Sequence, residues 1–107
     1  MNFEFDDDQR LLRDQARKFL TDKSPPEAVR RILDGDEPFD RDLWREFANM
    51  GWLGAAIPEA YGGSGLGHLE LCVIAEELGR SLAPTPFASS VYLASEALML
   101  AGTEEQK

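Results

Sequence analysis

A chain of 107 residues is long enough for one hydrophobic core and too short for two. Its 43% hydrophobic and 29% charged residues are the proportions of a folded globular protein, which excludes a disordered or fibrous one. Eleven basic against twenty acidic residues leave a formal charge of -9, and no nucleic-acid partner is expected, because phosphate backbones are held by Lys and Arg displacing counterions.

Apolar residues recur at helical spacing along almost the whole chain, without the sustained alternation of a half-buried strand. The expected fold class is therefore all-α, a bundle of about five helices. The first helix is expected to begin at Asp6, whose carboxylate can cap the first turn, with Gln9 completing a capping box and Asp7 and Asp8 suited to the positive helix end. Its inward stripe is Leu11, Leu12, Gln15, Ala16, Phe19 and Leu20, and its wet face carries Arg10, Arg13, Asp14, Arg17 and Lys18. Ser24-Pro25-Pro26 interrupts the pattern and restarts it, since proline is tolerated in a first turn. A short second helix is expected to turn Val29, Ile32 and Leu33 inward and to close at Asp34-Gly35. Asp40 caps a third, with Leu43, Trp44, Phe47 and Ala48 inward, and Gly51 is placed to end it in a left-handed conformation. Trp44 and Trp52 read as core anchors.

Residues 54–67 change character, ending in Gly62-Gly63-Ser64-Gly65-Leu66-Gly67. A phosphate cradle would need a strand before these glycines and a Gly-Lys-Ser/Thr after them, and neither is present. Tight turns and close backbone approach are the expected use. Two more helices follow, over residues 69–80 and 86–101, apolar on most of their circumference. Such helices need neighbours on most sides. A further domain, another subunit or an apolar ligand is expected to cover part of the pair. Gly102 then ends a helix and Thr103-Glu104-Glu105-Gln106 opens a new capping box just before Lys107, which reads as a piece of a longer protein.

No catalytic constellation is visible, so no catalytic residue is assigned. His68 is the one histidine and Cys72 the one cysteine, which excludes an internal disulfide and zinc spacing. No metal is expected. Glu76 and Glu77 are adjacent, about 100° apart on a helix, and so cannot face a substrate as a pair; a solvated role or an ion pair such as Glu76 with Arg80 is expected. Ser89, Ser90 and Ser95 have no histidine in register to activate them, and read as spacers or as hydroxyls bonding back to the helix. No apolar stretch approaches the roughly 20 residues of a membrane span. Residues 1–8 lack the basic start and apolar run of a secretory signal, and a cytoplasmic location is expected.

Taken in order, Trp52-Leu53-Gly54, Ile57-Pro58-Glu59, Tyr61-Gly62-Gly63-Ser64-Gly65-Leu66-Gly67, Glu76-Glu77-Leu78-Gly79-Arg80 and Gly102-Thr103-Glu104-Glu105-Gln106-Lys107 closely resemble the N-terminal helical domain of acyl-CoA dehydrogenases. The opening Phe3-Glu4-Phe5-Asp6-Asp7-Asp8-Gln9 is similar too, so the likeness covers residues 1–107 without an inserted domain. Leu82-Ala83-Pro84-Thr85-Pro86-Phe87 is similar to a bacterial subgroup, some of whose members act on bulky thioesters such as steroid side chains and assemble from unlike subunits. The resemblance implies an enzyme that converts an acyl-CoA to the trans-2-enoyl-CoA, with a glutamate base, FAD as hydride acceptor and an electron-transfer flavoprotein as reoxidant. It also implies a middle β domain and a C-terminal helical domain that carry the base and most of the flavin and oligomer contacts, so FAD is not expected to be held by this chain alone. From the last helix the family forms one wall of the acyl pocket, which falls here on Pro86, Ser89, Ser90 and Leu93. The same face could instead pack on the preceding helix. A stand-alone helical interaction module without flavin is the alternative reading of the whole chain.

Overall fold

The computed structural model describes residues 3–107, which form helices joined by turns; Met1 and Asn2, and with them the very start of the N-terminal reading, lie outside the described residues. No strand occurs among the described residues. Helix α1 is Asp7–Lys23, α2 Pro26–Asp34, α3 Arg41–Asn49 and α4 His68–Ser81. Two single-turn 3-10 helices, Trp52–Gly54 and Glu59–Tyr61, interrupt the loop between α3 and α4. The last helix runs as a π-helix over Ala88–Ser95 and continues as α5, Glu96–Ala101. The all-α expectation holds, with helix four one residue longer at each end than the pattern suggested.

Both sequence-legible N-caps form. Asp6 Oδ1 accepts from the Gln9 amide at 2.8 Å while Gln9 Oε1 accepts from the Asp6 amide at 3.0 Å, and Asp40 Oδ1 accepts from Leu43 at 3.0 Å. Gly51 adopts φ 80°, a left-handed conformation that a β-carbon disfavours, and so turns the chain from α3 into the first 3-10 turn.

Helices α1 and α4 run in the same direction and are pinned at two points. Near their starts, Gln9 Nε2 donates to Glu70 Oε1 at 3.2 Å, and Glu70 Oε2 accepts the Gly67 amide at 3.0 Å, so one carboxylate caps α4 and holds the cap of α1. Further on, Arg17 forks onto Glu77, Nη2 to Oε1 at 2.8 Å and Nε to Oε2 at 3.1 Å, with the Glu77 side chain 2% exposed. Eight residues of α1 and seven of α4 separate the two pins, about 12 Å and about 10 Å of helix. The near match fixes one register. Arg17 stays on the wet face, its side chain 46% exposed, but reaches across to Glu77, whose hydrogen bonds and charge hold its guanidinium still more firmly protonated. The Glu76–Arg80 pair does not form among the described residues, because the inward-facing member of the two glutamates is Glu77.

The core lies where α1, α3, α4 and the last helix meet. Phe47 is fully buried at its centre, stacking near Trp52 at 4.9 Å between ring centroids and meeting Phe87 edge-on at 6.1 Å. Phe19 reaches Trp52 from α1 at 5.6 Å, and Trp44 reaches Phe87 at 6.5 Å. Edge-to-face geometry suits the ring quadrupoles, so this chain of rings binds four elements with more than its buried area. Both tryptophans are core residues, as expected.

Several inward assignments fail at the margins. Leu11, Gln15 and Ala48 are exposed, while α1 buries Ala16 and Leu20 as expected and Gln9 besides. In α2 the buried residue is Ala28, Val29 and Ile32 are half-buried, and Leu33 is 79% exposed rather than inward.

Two outcomes check this packing. Phe47→Ala should cost about 3–5 kcal/mol in urea unfolding, a large fraction of the about 5–15 kcal/mol that holds a domain folded. Arg17→Leu should lower the melting temperature, and adding Glu77→Leu should recover part of the loss, since the single change leaves a buried carboxylate unpaired and the double change does not.

Candidate functional site: the face of the last two helices

Polar turn chemistry shapes the last helix. Ser90 donates its amide to the Pro86 carbonyl at 3.2 Å, an ordinary helical bond, after which the ladder widens. The Ser95 hydroxyl donates back to the Ser90 carbonyl, five residues earlier, at 2.8 Å, and Ser89 Oγ donates to the Pro86 carbonyl at 3.2 Å. Ser89 and Ser95 thus bond back to the helix, one of the two uses expected of all three serines. No periodicity rule foresees the wide turn itself, which in many proteins accompanies a functional segment.

Of the four residues assigned to an acyl pocket, Pro86 and Ser90 are half-buried, while Ser89 is exposed and Leu93 is 68% exposed. Leu93 and Leu100, seven residues apart, form an open apolar strip, and Leu98 is exposed off its edge, so the sequence-based expectation of uncovered surface on this helix is met. Leaving one such side chain in water forfeits about 1.5–3 kcal/mol.

Beside this strip a cleft of about 350 Å³ opens between α4 and the last helix, floored by Leu71, Cys72, Ala75, Val91 and Tyr92. His68 Nε2 and Glu96 Oε2 stand 3.2 Å apart at its mouth, linking the start of α4 to the start of α5. Burial pushes the Tyr92 phenol up, with the neighbouring Cys72 adding to the effect. The cleft is an apolar slot with His68 and Glu96 among its lining residues, and among the described residues it holds no nucleophile hydrogen-bonded to a base.

The glycine-rich loop is not a phosphate cradle. Amides of Gly62, Gly63, Ser64, Gly65 and Leu66 donate to carbonyls of Glu59, Pro58, Gly54, Ile57 and Ala55, and that of Gly67 to Glu70. A β-carbon on Gly63 would overlap the Ile57 carbonyl, so glycine serves close backbone approach there. With its amides already donated, the loop does not fit a flavin or nucleotide pyrophosphate. Among the described residues no group of three His, Cys, Asp or Glu could hold a metal ion, and no helix is long and apolar enough to cross a membrane.

The capping box foreseen at residues 103–106 closes both ways, Gln106 amide to Thr103 Oγ1 at 3.2 Å and Thr103 amide to Gln106 Oε1 at 2.9 Å. It is strapped to the glycine-rich loop by Tyr61, whose hydroxyl donates to Glu104 Oε2 at 2.6 Å. Sequence reasoning missed this strap, as it joins residues 43 apart.

Residues 6–107 match the family described as acyl-CoA dehydrogenase, N-terminal domain. The chain belongs to that family. It is 41% identical over 80 residues to acyl-CoA dehydrogenase FadE27 of Mycobacterium tuberculosis, an alignment covering 75% of this chain and 21% of the relative. The ChsE4-ChsE5 complex from Mycobacterium tuberculosis superposes with a TM-score of 0.87 at 34% identity, over 98% of this chain and 29% of that one. A structure of the Tcur3481-Tcur3483 steroid ACAD gives a TM-score of 0.79 at 32% identity, over 99% of this chain and 28% of that one. The chain thus spans less than a third of the length of each of these relatives.

The Tyr61 strap has a testable pH dependence. Hydrogen bonding from Tyr61, then the charge of Lys107, hold the Glu104 carboxyl below its usual range. Because the folded value is lowered, any stabilisation is complete above the ordinary carboxylate value of about 4.3 and fades as pH falls through the lowered one. Tyr61→Phe should raise the Glu104 midpoint toward the ordinary value in a carbon-detected NMR titration, and an unmoved midpoint would remove the strap.

Proposed function

We propose that these residues form the N-terminal helical domain, 1–107, of an FAD-dependent acyl-CoA dehydrogenase whose middle β and C-terminal helical domains lie outside them. The reaction takes a proton from Cα and a hydride from Cβ of an acyl-CoA thioester, leaving the 2-enoyl-CoA. FAD accepts the hydride and a base outside these residues takes the proton, and an electron-transfer flavoprotein reoxidises the flavin. Membership of the family, together with an apolar helix face left open to the side, supports this reading.

In that enzyme Pro86, Ser89, Ser90 and Leu93 wall the acyl pocket. Small Ser89 and Ser90 leave room for the tail and Leu93 gives it an apolar contact. Ser89 and Leu93 lie on open surface, where a substrate or a facing helix has access. Likeness to a steroid ACAD and to the two-component ChsE4-ChsE5 complex supports a bulky thioester as substrate and an oligomer as the working form.

In the full-length enzyme, Ser90→Phe should raise KM for long or bulky thioesters far more than for short ones, because a filled pocket excludes only what reaches it. Equal effects on both classes would refute the pocket wall. Flavin absorbance bleached by acyl-CoA under anaerobic conditions would support the enzyme, and a colourless full-length protein would overturn it.

A further inference from the structure

A groove of about 510 Å³ runs between the end of α1, the start of α2 and the end of α4, away from the open face of the last helix. Its walls carry Leu33 and Leu82 and its rim Arg17, Arg30 and Arg80. Arg17 is committed to Glu77, and that pair is internally neutral. Arg30 and Arg80 make no ion pair within 4.0 Å among the described residues, so two uncompensated guanidiniums face one groove on a protein whose net charge is -9.

Two further observations fall at the same place. Ser24, 4% exposed, lines the groove, and its hydroxyl has no hydrogen-bond partner, which is uncommon for a buried polar atom. Leu82 is 71% exposed and has φ 53°, the one positive φ at a non-glycine position among the described residues. It ends α4 as the left-handed residue, with Ala83 donating to the Leu78 carbonyl at 3.1 Å behind it. Glycine or asparagine fills such a position without loss. An exposed leucine there carries both backbone strain and apolar hydration.

We propose that this groove docks a short acidic, leucine-bearing peptide segment of a protein partner, its apolar side chain seated between Leu33 and Leu82 and its carboxylates on Arg30 and Arg80. Guanidinium forks match carboxylates in geometry as well as charge. The groove is open to solvent, so a peptide can cover it where a small anion would remain largely in water. At physiological salt, charges beyond about 8 Å are screened, so the distant acidic surface opposes docking little while the contact pairs survive.

Fluorescence anisotropy with labelled Glu-Leu-Glu-Glu-Leu-Glu, and with Lys-Leu-Lys-Lys-Leu-Lys as its charge-reversed control, tests this. The acidic peptide should bind saturably and the basic one should not. Arg30→Glu with Arg80→Glu should weaken the acidic peptide by about tenfold or more, with the helical circular dichroism unchanged. Leu82→Gly separates docking from folding, since it should raise the melting temperature by relieving the left-handed strain while weakening the peptide. Equal binding of both peptides, wild-type affinity in the variants, or saturable binding of dodecanoate with no binding of the acidic peptide would each overturn the proposal.

Discussion

Everything else in the domain is arranged around the parallel contact of α1 with α4. Two helices in the same direction gain nothing from their dipoles, and a smooth apolar seam would let one slide along the other. The Arg17–Glu77 fork and the Gln9–Glu70 bond stop the slide, because a shift by one turn would bury Glu77 without a partner. With α1 fixed on α4, Leu20, Ile74 and Leu78 form a floor on which Phe47 and Trp52 are set, and the aromatic chain carries the order across to Phe87. Polar contacts thus set the register, and apolar burial supplies most of the stability.

The apolar surface is distributed unevenly as a result. Helices α1, α3 and α4 build one core with the last helix, which contributes Phe87 and Val91 to it while leaving Leu93, Leu98 and Leu100 outside. That division leaves the apolar surface of the last helix split between core and solvent. The wide π turn sits at the boundary, where Ser90 and Ser95 satisfy a backbone that no longer follows the regular ladder.

The same economy explains the glycine-rich loop. Its amides close on the carbonyls of residues 54–59, so a stretch that resembles a ligand cradle in composition is a self-contained turn that delivers the chain to the start of α4. Glu70 then serves two helix ends at once, and Tyr61 holds the far turn by Glu104. Each of these carboxylates was visible as a residue in the sequence; the partner of each was not.

What the sequence determined by itself is local. Helical periodicity, the caps at Asp6 and Asp40, the left-handed Gly51 and the Thr103 capping box depend on residues within a few positions of one another, and all are found. The expected excess of apolar surface on the last helix is also there, because composition around a helix is a property of its own sequence. Tertiary structure decided what required a neighbour: that Glu77 turns inward and Glu76 does not, that Leu33 stands in solvent, that Leu82 takes a left-handed turn, and that the last helix widens at Ser90. Those outcomes depend on contacts between distant residues, whose free energies are comparable with local preferences and which no spacing rule contains.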